Sequence, residues 1–434
     1  MILLNVSLYS IFRGIIGLTT LFIIAWVFST NKKKINWALI FKALLIQIVF
    51  ALAVLKVEFI EHGFEFVSRV FVKVISFTQD GTKFLFQSFE SGVIETPLVN
   101  FAIMVLPTIV FFSALTSLFY YWGILQKIVY VFAWFMKKTL KLSGAESLSA
   151  AGNIFLGQTE APLLVKPYLS KMTNSEIMCL MSGGMATIAG GVLAAYIGFL
   201  GGDDPQEKVF FAKHLLAASV MSAPAAVLAA KMLVPETEKF DESLAISKEN
   251  IGTSALEAIT NGTSQGLKLA VNVGAMLLVF IAFMAFGNYL LFKIGDITHI
   301  NQWIASNTSF ESLSFEFLLG YLCAPIVWLM GVCKEDMVLV GQLLGEKTIL
   351  NEFVAYVSLG EMKAQNLFVE KKSMIMATYI LCGFANFASI GIQIGGIGTL
   401  APNKKSTLAK YGFLALIGGT LASLFTAVIV GMLV

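Results

Sequence analysis

Residues 152 to 170 read GNIFLGQTEAPLLVKPYLS, and a carboxylate, Glu160, lies in the middle of this otherwise apolar stretch. A charged side chain in hydrocarbon costs several kcal/mol, so an acidic residue at this depth must be compensated or must bind something. The apolar flanks are each too short to cross roughly 30 Å of hydrocarbon. The pattern predicts a re-entrant hairpin over residues 143 to 172 and a second one over residues 335 to 362, where GEKTILNE forms the polar centre.

The composition is typical of a membrane protein. Of 434 residues, 57% are hydrophobic and 13% are charged, whereas roughly 25% of the residues in soluble domains are charged. The formal net charge is only +3, so no strongly basic surface indicates a nucleic-acid partner. We predict an all-α polytopic membrane protein with eight transmembrane helices. These are residues 8 to 28, 36 to 55, 98 to 122, 174 to 200, 209 to 233, 269 to 293, 373 to 398 and 408 to 433.

Each hairpin is followed by a segment that glycines and polar residues interrupt in its middle. The first reads LMSGGMATIAGGVLAAYIG, residues 180 to 198, and the second reads LCGFANFASIGIQIGGIG, residues 381 to 398. Three predicted crossings separate the hairpins, so the two copies enter the membrane from opposite sides. Paired interrupted segments in an inverted repeat are typical of a secondary transporter whose binding site lies near the membrane midplane.

Lysine placement predicts the orientation of the chain. With eight crossings, the basic clusters at residues 31 to 34, 137 to 141 and 404 to 410 fall on one side, which the positive-inside rule makes cytoplasmic. Both termini then lie outside. Residues 313 to 331 are also apolar, and we interpret them as a half-buried or membrane-surface helix because another crossing would place the last cluster outside.

An amphipathic helix is predicted between the second and third crossings. In FEFVSRVFVKVI, residues 64 to 75, the side chains of Phe64, Val67 and Phe71 recur at helical spacing while charged residues occupy the other face. This pattern predicts a helix lying at the membrane interface. An ordinary amphipathic helix packed on protein fits the pattern equally well.

Polar residues concentrate in the hairpin centres and in the second interrupted segment. Two carboxylates, together with amides and hydroxyls, around a glycine-rich cavity suit a neutral ligand that carries hydroxyls and amide-like edges. A carboxylate in the membrane indicates a functional site by default, whereas a lone hydroxyl such as Thr159 or Ser389 serves as often in helix packing. Phe384 has the flat ring to stack on a ligand, although core packing is the commoner role of a lone phenylalanine. The polar residues are Gln158, Thr159, Glu160, Asn351, Glu352, Asn386 and Ser389.

Oxygen ligands for a cation are available in the first repeat. Asn153 lies on the first hairpin and Thr187 at the interruption that follows it, where unwound carbonyls are also free. Side-chain and unwound backbone oxygens of this kind coordinate Na+ in transporters. An asparagine that caps the hairpin helix explains Asn153 equally well.

Other chemistry finds little support in the sequence. The three histidines and four cysteines follow no metal-ligand spacing. The sequence has neither a phosphate-binding GxxxxGK[ST] loop nor a GxSxG elbow. We therefore predict that the chain is not an enzyme and that it carries no cofactor. A passive channel would require a continuous polar pore.

Four segments resemble the signature segments of the concentrative nucleoside transporters. They are GNIFLGQTEAPLLVKPYL from residue 152, SGGMATIAGGVLAAYIG from 182, NEFVAY from 351 and GFANFASI from 383. The resemblance runs along essentially the whole chain. It implies Na+-coupled symport of nucleosides, with proton coupling as the alternative, by a homotrimer in the inner membrane that moves its site in an elevator-like manner.

The resemblance also implies roles for residues that match the family motifs. Gln158 and Thr159 resemble base-side contacts, with Glu160 beside them in the binding tip. The implied ribose-side contacts are Glu352, Asn386 and Ser389, and the implied apolar wall is Val192 and Phe384. The implied Na+ ligands are the side chains of Asn153 and Thr187 with the carbonyls of Leu156 and Ile188.

The implied domains follow the same segments. Residues 1 to 122 are predicted to form scaffold helices with the interfacial amphipathic helix, and residues 269 to 293 a further scaffold helix. Residues 123 to 233 form the first repeat of the transport domain and residues 300 to 434 the second. Purine or pyrimidine preference does not follow from the sequence.

Overall fold

The computed structural model describes residues 7 to 89, 91 to 95, 98, 100 to 202, 204 to 241, 243 and 253 to 434. Every regular element within these ranges is helical. The α-helices are α1 (Leu8–Val27), α2 (Trp37–Lys56), α3 (Glu58–Phe86), α4 (Phe101–Met104), α5 (Leu106–Tyr121), α6 (Ile124–Leu140), α7 (Gly144–Asn153), α8 (Ala161–Leu164), α9 (Lys166–Leu169), α10 (Asn174–Ala186), α11 (Gly190–Gly201), α12 (Pro205–Leu233), α13 (Ala255–Ile297), α14 (Ile300–Asn307), α15 (Phe315–Leu329), α16 (Met337–Ile349), α17 (Glu352–Ala364), α18 (Lys371–Leu381), α19 (Phe387–Leu400) and α20 (Lys405–Leu433).

The all-helical membrane fold predicted from the sequence is confirmed. Among the described residues, seven helical stretches are long and apolar enough to cross a membrane. The eighth predicted crossing, residues 373 to 398, is present as two shorter helices, α18 and α19, because the chain leaves helical geometry between them. Residue 99 of the predicted crossing 98 to 122 lies outside the described residues.

The order of elements repeats along the chain. In the first copy, α7 runs to the hairpin tip and α8 and α9 lead back, α10 and α11 form the broken helix, and α12 follows. In the second copy, α16 and α17 form the hairpin, α18 and α19 the broken helix, and α20 follows. The two long helices α12 and α20 have 29 residues each and lie against each other and against α10 and α18.

Side-chain caps set where two helices of the first repeat begin. Ser143 and Glu146 form a capping box at the start of α7, and Thr173 and Glu176 form another at the start of α10. Each box satisfies two backbone donors that the first helical turn leaves unpaired. These local signals explain why α7 and α10 begin where they do.

The helices α1 and α2, which the sequence analysis assigns to the scaffold, pack against α20 and α12. A Cβ at Gly14 would lie 2.2 Å from Met432 Cγ, so α1 approaches α20 closely there. The rings of Phe22 and Phe425 lie 5.1 Å apart, and Thr30 binds the carbonyl of Leu233 at the end of α12. The described packing thus joins α1 and α2 to the two repeats, while the division into scaffold and transport domain stays a prediction.

The long helix α13 packs instead against α5. Gly262 and Gly266 face α5, where added Cβ atoms would lie 2.8 Å from the Cα atoms of Ala114 and Val110 respectively. Two glycines four residues apart allow this close backbone approach between membrane helices. With 43 residues, α13 extends well beyond the predicted crossing 269 to 293.

Two further predictions concern helices outside the repeats. The amphipathic helix is α3; it is tied to α12 by the Lys213 Nζ to Glu61 Oε1 ion pair of 2.8 Å, while Phe59 and Phe84 on its other face are exposed. Protein packing and an interfacial position are therefore both compatible with α3. The apolar residues 313 to 331 form α15, whose 15 residues at 1.5 Å each are too short to cross a bilayer upright. It lies along α16.

Candidate functional site

A cavity of about 580 Å³ opens between the two hairpin tips and the two broken helices. Helices α5 and α13 close its other side. All the substrate contacts predicted from the sequence line this cavity. They are Gln158, Thr159, Glu160, Val192, Glu352, Phe384, Asn386 and Ser389.

A continuous chain of hydrogen bonds runs along one wall of the cavity. Tyr196 Oη donates to Glu352 Oε1 at 3.2 Å, and Asn386 Nδ2 donates to Glu352 Oε2 at 2.8 Å. On the other side of Asn386, Ser389 Oγ accepts from Gln158 Nε2 at 3.0 Å. The chain therefore joins the tip of the first hairpin to the second broken helix and the second hairpin. It fixes the donors and acceptors before a ligand arrives.

The two asparagines of this region begin helices. Asn351 Oδ1 accepts from the backbone of Val354 at 3.0 Å, and Asn386 Oδ1 accepts from the backbone of Ser389 at 2.9 Å. An N-cap asparagine uses its oxygen in this way and leaves its amide donors free. In Asn386 the free Nδ2 group is the one that binds Glu352. The N-termini of α17 and α19 thus both begin at the cavity, with their partial positive charge directed toward it.

The tip of the first hairpin supplies the other predicted contacts. Thr159 is exposed to the cavity and Glu160 is half-buried. The carboxylate of Glu160 folds back over Gly157, where a Cβ would lie 2.3 Å from Oε2. That oxygen is buried and accepts no hydrogen bond from the described residues. Glu160 therefore carries a buried acceptor at the hairpin tip that lacks a hydrogen-bond partner among the described residues.

The two broken helices cross where both leave helical geometry. Gly383 has φ of +124°, which side chains rarely adopt, and a Cβ on it would lie 2.7 Å from the backbone of Ala186. Only glycine satisfies both conditions without strain. This contact sets the distance between the two halves of the site.

The residues predicted to bind Na+ lie together behind the first hairpin tip, outside the residues that line the cavity. Asn153 is 1% exposed, and neither Oδ1 nor Nδ2 of its amide has a hydrogen-bond partner among the described residues. A Cβ at Gly183 would lie 2.8 Å from Asn153 Nδ2, and Thr187 Oγ1 donates to the Gly183 carbonyl at 2.9 Å. Leu156 and Ile188 are also buried, three residues after Asn153 and one residue after Thr187 in the sequence.

An unpaired buried amide is costly unless something binds it. Asn153 is the last residue of α7 and its side chain makes no capping hydrogen bond. The capping role considered for it from the sequence is therefore not observed. Buried amide, hydroxyl and carbonyl oxygens in one place form a set of hard ligands suited to Na+.

Sequence reasoning missed two buried polar residues that lie behind the cavity wall and bind its members. Gln393 Nε2 donates to Gln158 Oε1 at 3.1 Å and to the Met181 carbonyl at 3.0 Å. It lies four residues after Ser389, so the helical spacing of polar residues in α19 carried the signal. Tyr196 stands alone in an apolar run, and no pattern in the sequence indicated its role.

The opposite wall of the cavity also escaped prediction. The polar side chains of Gln265, Lys268 and Asn272 on α13 and Ser113 on α5 line it. The sequence analysis placed every ligand contact on the two repeats. The cavity thus lies between the repeats and the pair of helices α5 and α13.

Three family models match this chain. Residues 16 to 89 match "Na+ dependent nucleoside transporter N-terminus", residues 102 to 203 match "Nucleoside recognition", and residues 214 to 431 match "Na+ dependent nucleoside transporter C-terminus". Together they cover most of the described helices.

Individual relatives agree with the family models. The chain is 37% identical to the nucleoside permease NupC of Helicobacter pylori over 98% of this chain and 99% of that protein. It is 39% identical to solute carrier family 28 member 3 of Eptatretus stoutii over 96% of this chain, but it spans only 60% of that longer protein.

Solved structures show the same likeness. CNTnw in an inward-facing, substrate-bound state matches with a TM-score of 0.86 and 35% identity over 98% of this chain and 99% of that chain. A variant of CNTnw in an outward-facing state matches with a TM-score of 0.85 and 35% identity over 98% of each chain. The prediction of a transporter and not an enzyme is confirmed. The chain belongs to the concentrative, Na+-dependent nucleoside transporter family.

Proposed function

We propose that this chain is a symporter that imports nucleosides on a Na+ gradient by moving its binding site across the membrane. The observation that carries the proposal is the 580 Å³ cavity, which is lined by all eight contacts predicted from the sequence and the family resemblance. A nucleoside has a flat apolar base with amide-like edges and a sugar with hydroxyls. The cavity offers a partner for each part.

The sugar is assigned to the side of Glu352, Asn386 and Ser389. Each carboxylate oxygen of Glu352 accepts one protein hydrogen bond and has lone-pair capacity left for a hydroxyl donor. A ligand without the sugar hydroxyls leaves this remaining capacity of the buried Glu352 carboxylate unsatisfied, which costs about 1 to 3 kcal/mol. This penalty would exclude a free nucleobase.

The base is assigned to the first hairpin tip. Gln158 and Thr159 offer an amide and a hydroxyl to its edge, while Val192 and Phe384 contribute apolar surface to its faces. Gln158 is held by Ser389 and Gln393, so its orientation depends on the second repeat. Recognition of the base and of the sugar is therefore linked.

Sodium is assigned to the unpaired Asn153 amide, the Thr187 hydroxyl and the carbonyls of Leu156 and Ile188. The ion joins α7 to the interruption between α10 and α11. Asn153 is on the same tip as Gln158, so ordering this tip prepares a nucleoside contact. Binding of each ligand then favours binding of the other by the same factor.

Transport follows from the position of the cavity between two packed bodies. The repeats have α1 and α2 packed on them, whereas α13 packs on α5, which also contacts α11. We treat the repeats with α1 and α2 as one body and α5 with α13 as the other. We place α1 and α2 with the moving unit, in contrast to the sequence-based domain division. Movement of the repeats past α13 would expose the cavity to either side. CNTnw is described in both inward-facing and outward-facing states, which supports this mechanism.

The assembly and its placement complete the proposal. The exposed apolar side chains of α13, among them Leu278 and Phe283, require lipid or other subunits around them. The family resemblance favours a homotrimer in the inner membrane. The lysine clusters favour an orientation with both termini outside.

Counterflow in proteoliposomes tests the function. Vesicles loaded with unlabelled uridine or adenosine should accumulate the labelled nucleoside transiently, because only a carrier exchanges its site between the two sides. Net uptake should follow an imposed Na+ gradient at fixed pH. Equal uptake in choline and sodium buffers would refute Na+ coupling, and uptake driven by a proton gradient alone would favour the proton-coupled alternative.

A further inference from the structure

The second repeat contains a buried lysine with no role in the proposed site. Lys347 lies near the end of α16 and is 0% exposed. Its Nζ donates to the Ile380 carbonyl at 2.7 Å and to Ser423 Oγ at 3.1 Å. No carboxylate among the described residues forms an ion pair with it.

The other lysine buried among the described residues is arranged differently. Lys231 forms ion pairs with Glu146 and Glu236. A buried charge normally needs such a carboxylate partner, because burial removes its hydration. The Lys347 ammonium is instead surrounded by a carbonyl and a hydroxyl, which are the ligand types of an alkali cation.

The position of Lys347 in its repeat corresponds to that of the proposed sodium site in the first repeat. Asn153 ends α7, the first hairpin helix, and Lys347 is two residues from the end of α16, its counterpart. Each residue faces the last turn of the first half of a broken helix. Asn153 lies against Gly183 of α10, and Lys347 binds the Ile380 carbonyl of α18.

The long helix that follows supplies a hydroxyl in both repeats. Ser219 of α12 donates to the Ile154 carbonyl at the first tip at 2.8 Å, and Ser423 of α20 accepts from Lys347. The sequences SVMS at 219 to 222 and TLAS at 420 to 423 carry hydroxyls at the same spacing, with Ser423 at the position of Ser222 and Thr420 at the position of Ser219. The two sites are therefore built from equivalent parts of the fold.

We propose that the Lys347 ammonium is a tethered cation that takes the place of a second Na+, joining the second hairpin to its broken helix as the coupling ion joins the first. This inference rests on the sodium site proposed above. A cation that is part of the chain cannot exchange, so only the first repeat responds to the sodium gradient.

Two substitutions separate charge from volume. Lys347→Ala removes three methylene groups and the ammonium, so the space left matches propylammonium. Lys347→Met removes the charge but fills the space with an apolar chain. Equilibrium binding of labelled uridine and adenosine to the full-length purified protein is measured while Na+ is titrated against choline, with and without propylammonium.

We expect both variants to bind nucleoside about tenfold more weakly, since each loses charged hydrogen bonds that hold the second tip. Propylammonium should restore binding to Lys347→Ala and not to Lys347→Met. In Lys347→Ala without the amine, high Na+ should restore binding with a steeper, two-site dependence, whereas the unsubstituted protein follows a one-site dependence. Wild-type affinity in both variants would overturn the proposal. The proposal would also be overturned if both variants bound nucleoside equally weakly, propylammonium restored binding to neither, and the Na+ dependence of Lys347→Ala stayed as in the unsubstituted protein.

Further measurements keep the outcome decisive. If neither Lys347 variant yields folded protein, Ser423→Ala is compared with the control Thr426→Val. Thr426 has a buried hydroxyl on the same helix, and this hydroxyl donates to the Ala422 carbonyl and not to Lys347. Ser423→Ala should weaken nucleoside binding about threefold more than the control, as expected for loss of one hydrogen bond, and equal effects would overturn the proposal. If the unsubstituted protein binds nucleoside equally in choline and Na+, the proposed sodium coupling fails, while rescue of Lys347→Ala by propylammonium still reports on the tethered cation.

Discussion

Replacing Glu352 by glutamine tests how the cavity recognises the sugar. The change keeps the shape of the side chain but removes its charge and turns one oxygen into a donor. Asn386 Nδ2 already donates to Oε2 at 2.8 Å, so the new amide must direct its oxygen there and its NH2 group toward Tyr196. The hydroxyl of Tyr196 can accept as well as donate, and the protein contacts survive.

The loss falls on the ligand. A hydrogen bond to a charged acceptor contributes about 1.5 to 3 kcal/mol and one to a neutral acceptor about 0.5 to 1.5. The difference of roughly 1 to 1.5 kcal/mol corresponds to about a tenfold weaker interaction with a ribonucleoside. A 2',3'-dideoxynucleoside has no sugar hydroxyl at these positions, so its affinity should change by less than about twofold.

Competition against labelled uridine uptake measures both affinities in the same vesicles. Unlabelled uridine, its 2'-deoxy and 3'-deoxy forms and the dideoxy form are compared, and the single deoxy forms identify which hydroxyl Glu352 binds. Glu346→Gln is the matched control, because Glu346 is a buried carboxylate of the same hairpin that binds Gln342 and does not line the cavity. Equal weakening of uridine and its dideoxy form by Glu352→Gln would show that Glu352 supports structure and does not recognise the sugar.

Three further changes test other parts of the structure. Asn153→Ala should raise the half-saturating Na+ concentration about tenfold while uptake at saturating Na+ is retained; an unchanged Na+ dependence would remove Asn153 from the ion site. Gly383→Ala should destabilise the protein by about 2 kcal/mol or more, measured by thermal unfolding in detergent, whereas Gly391→Ala, with open space around it, should be tolerated; similar melting temperatures for the two would contradict the crossing argument. In a background without the native cysteines, a cysteine at Asn272 of α13 paired with one at Thr159 should cross-link to a different extent with and without Na+ and nucleoside, and should stop uptake when locked. Identical cross-linking with surviving uptake would favour small gates at the tips over movement of the whole unit.

The hairpins and broken helices were predictable because polar residues interrupt an apolar run at each of them. A carboxylate, or polar residues clustered among glycines, in an apolar run is not suited to a regular lipid-facing helix, so Glu160 and the GFANF segment indicate irregular backbone by themselves. Local physics was enough to identify these elements and the polar residues that the hairpin tips and the second broken helix contribute to the cavity.

Contacts between distant elements were not predictable in this way. Hydrophobic periodicity reports that a face is buried but not which helix buries it, so the packing of α1 and α2 against α12 and α20 did not follow from the sequence. The same limit hid the part of the cavity wall that α13 provides, including Asn272. Tyr196 is a further case, because its role depends on Glu352, which lies 156 residues away in sequence.

The long-range hydrogen bonds also explain why the proposed ion and nucleoside act together. The side-chain amide of Asn153 has no hydrogen-bond partner among the described residues. The hairpin tip that follows Asn153 carries Gln158. Gln158 in turn reaches Ser389 and, through Asn386, Glu352. If the tip is not ordered by the ion, Gln158 no longer has a fixed position for the base. Its hydrogen bond to Ser389 on the sugar side is then lost as well. An empty ion site therefore weakens both ends of the nucleoside site, and the same connection lets a bound nucleoside hold the ion.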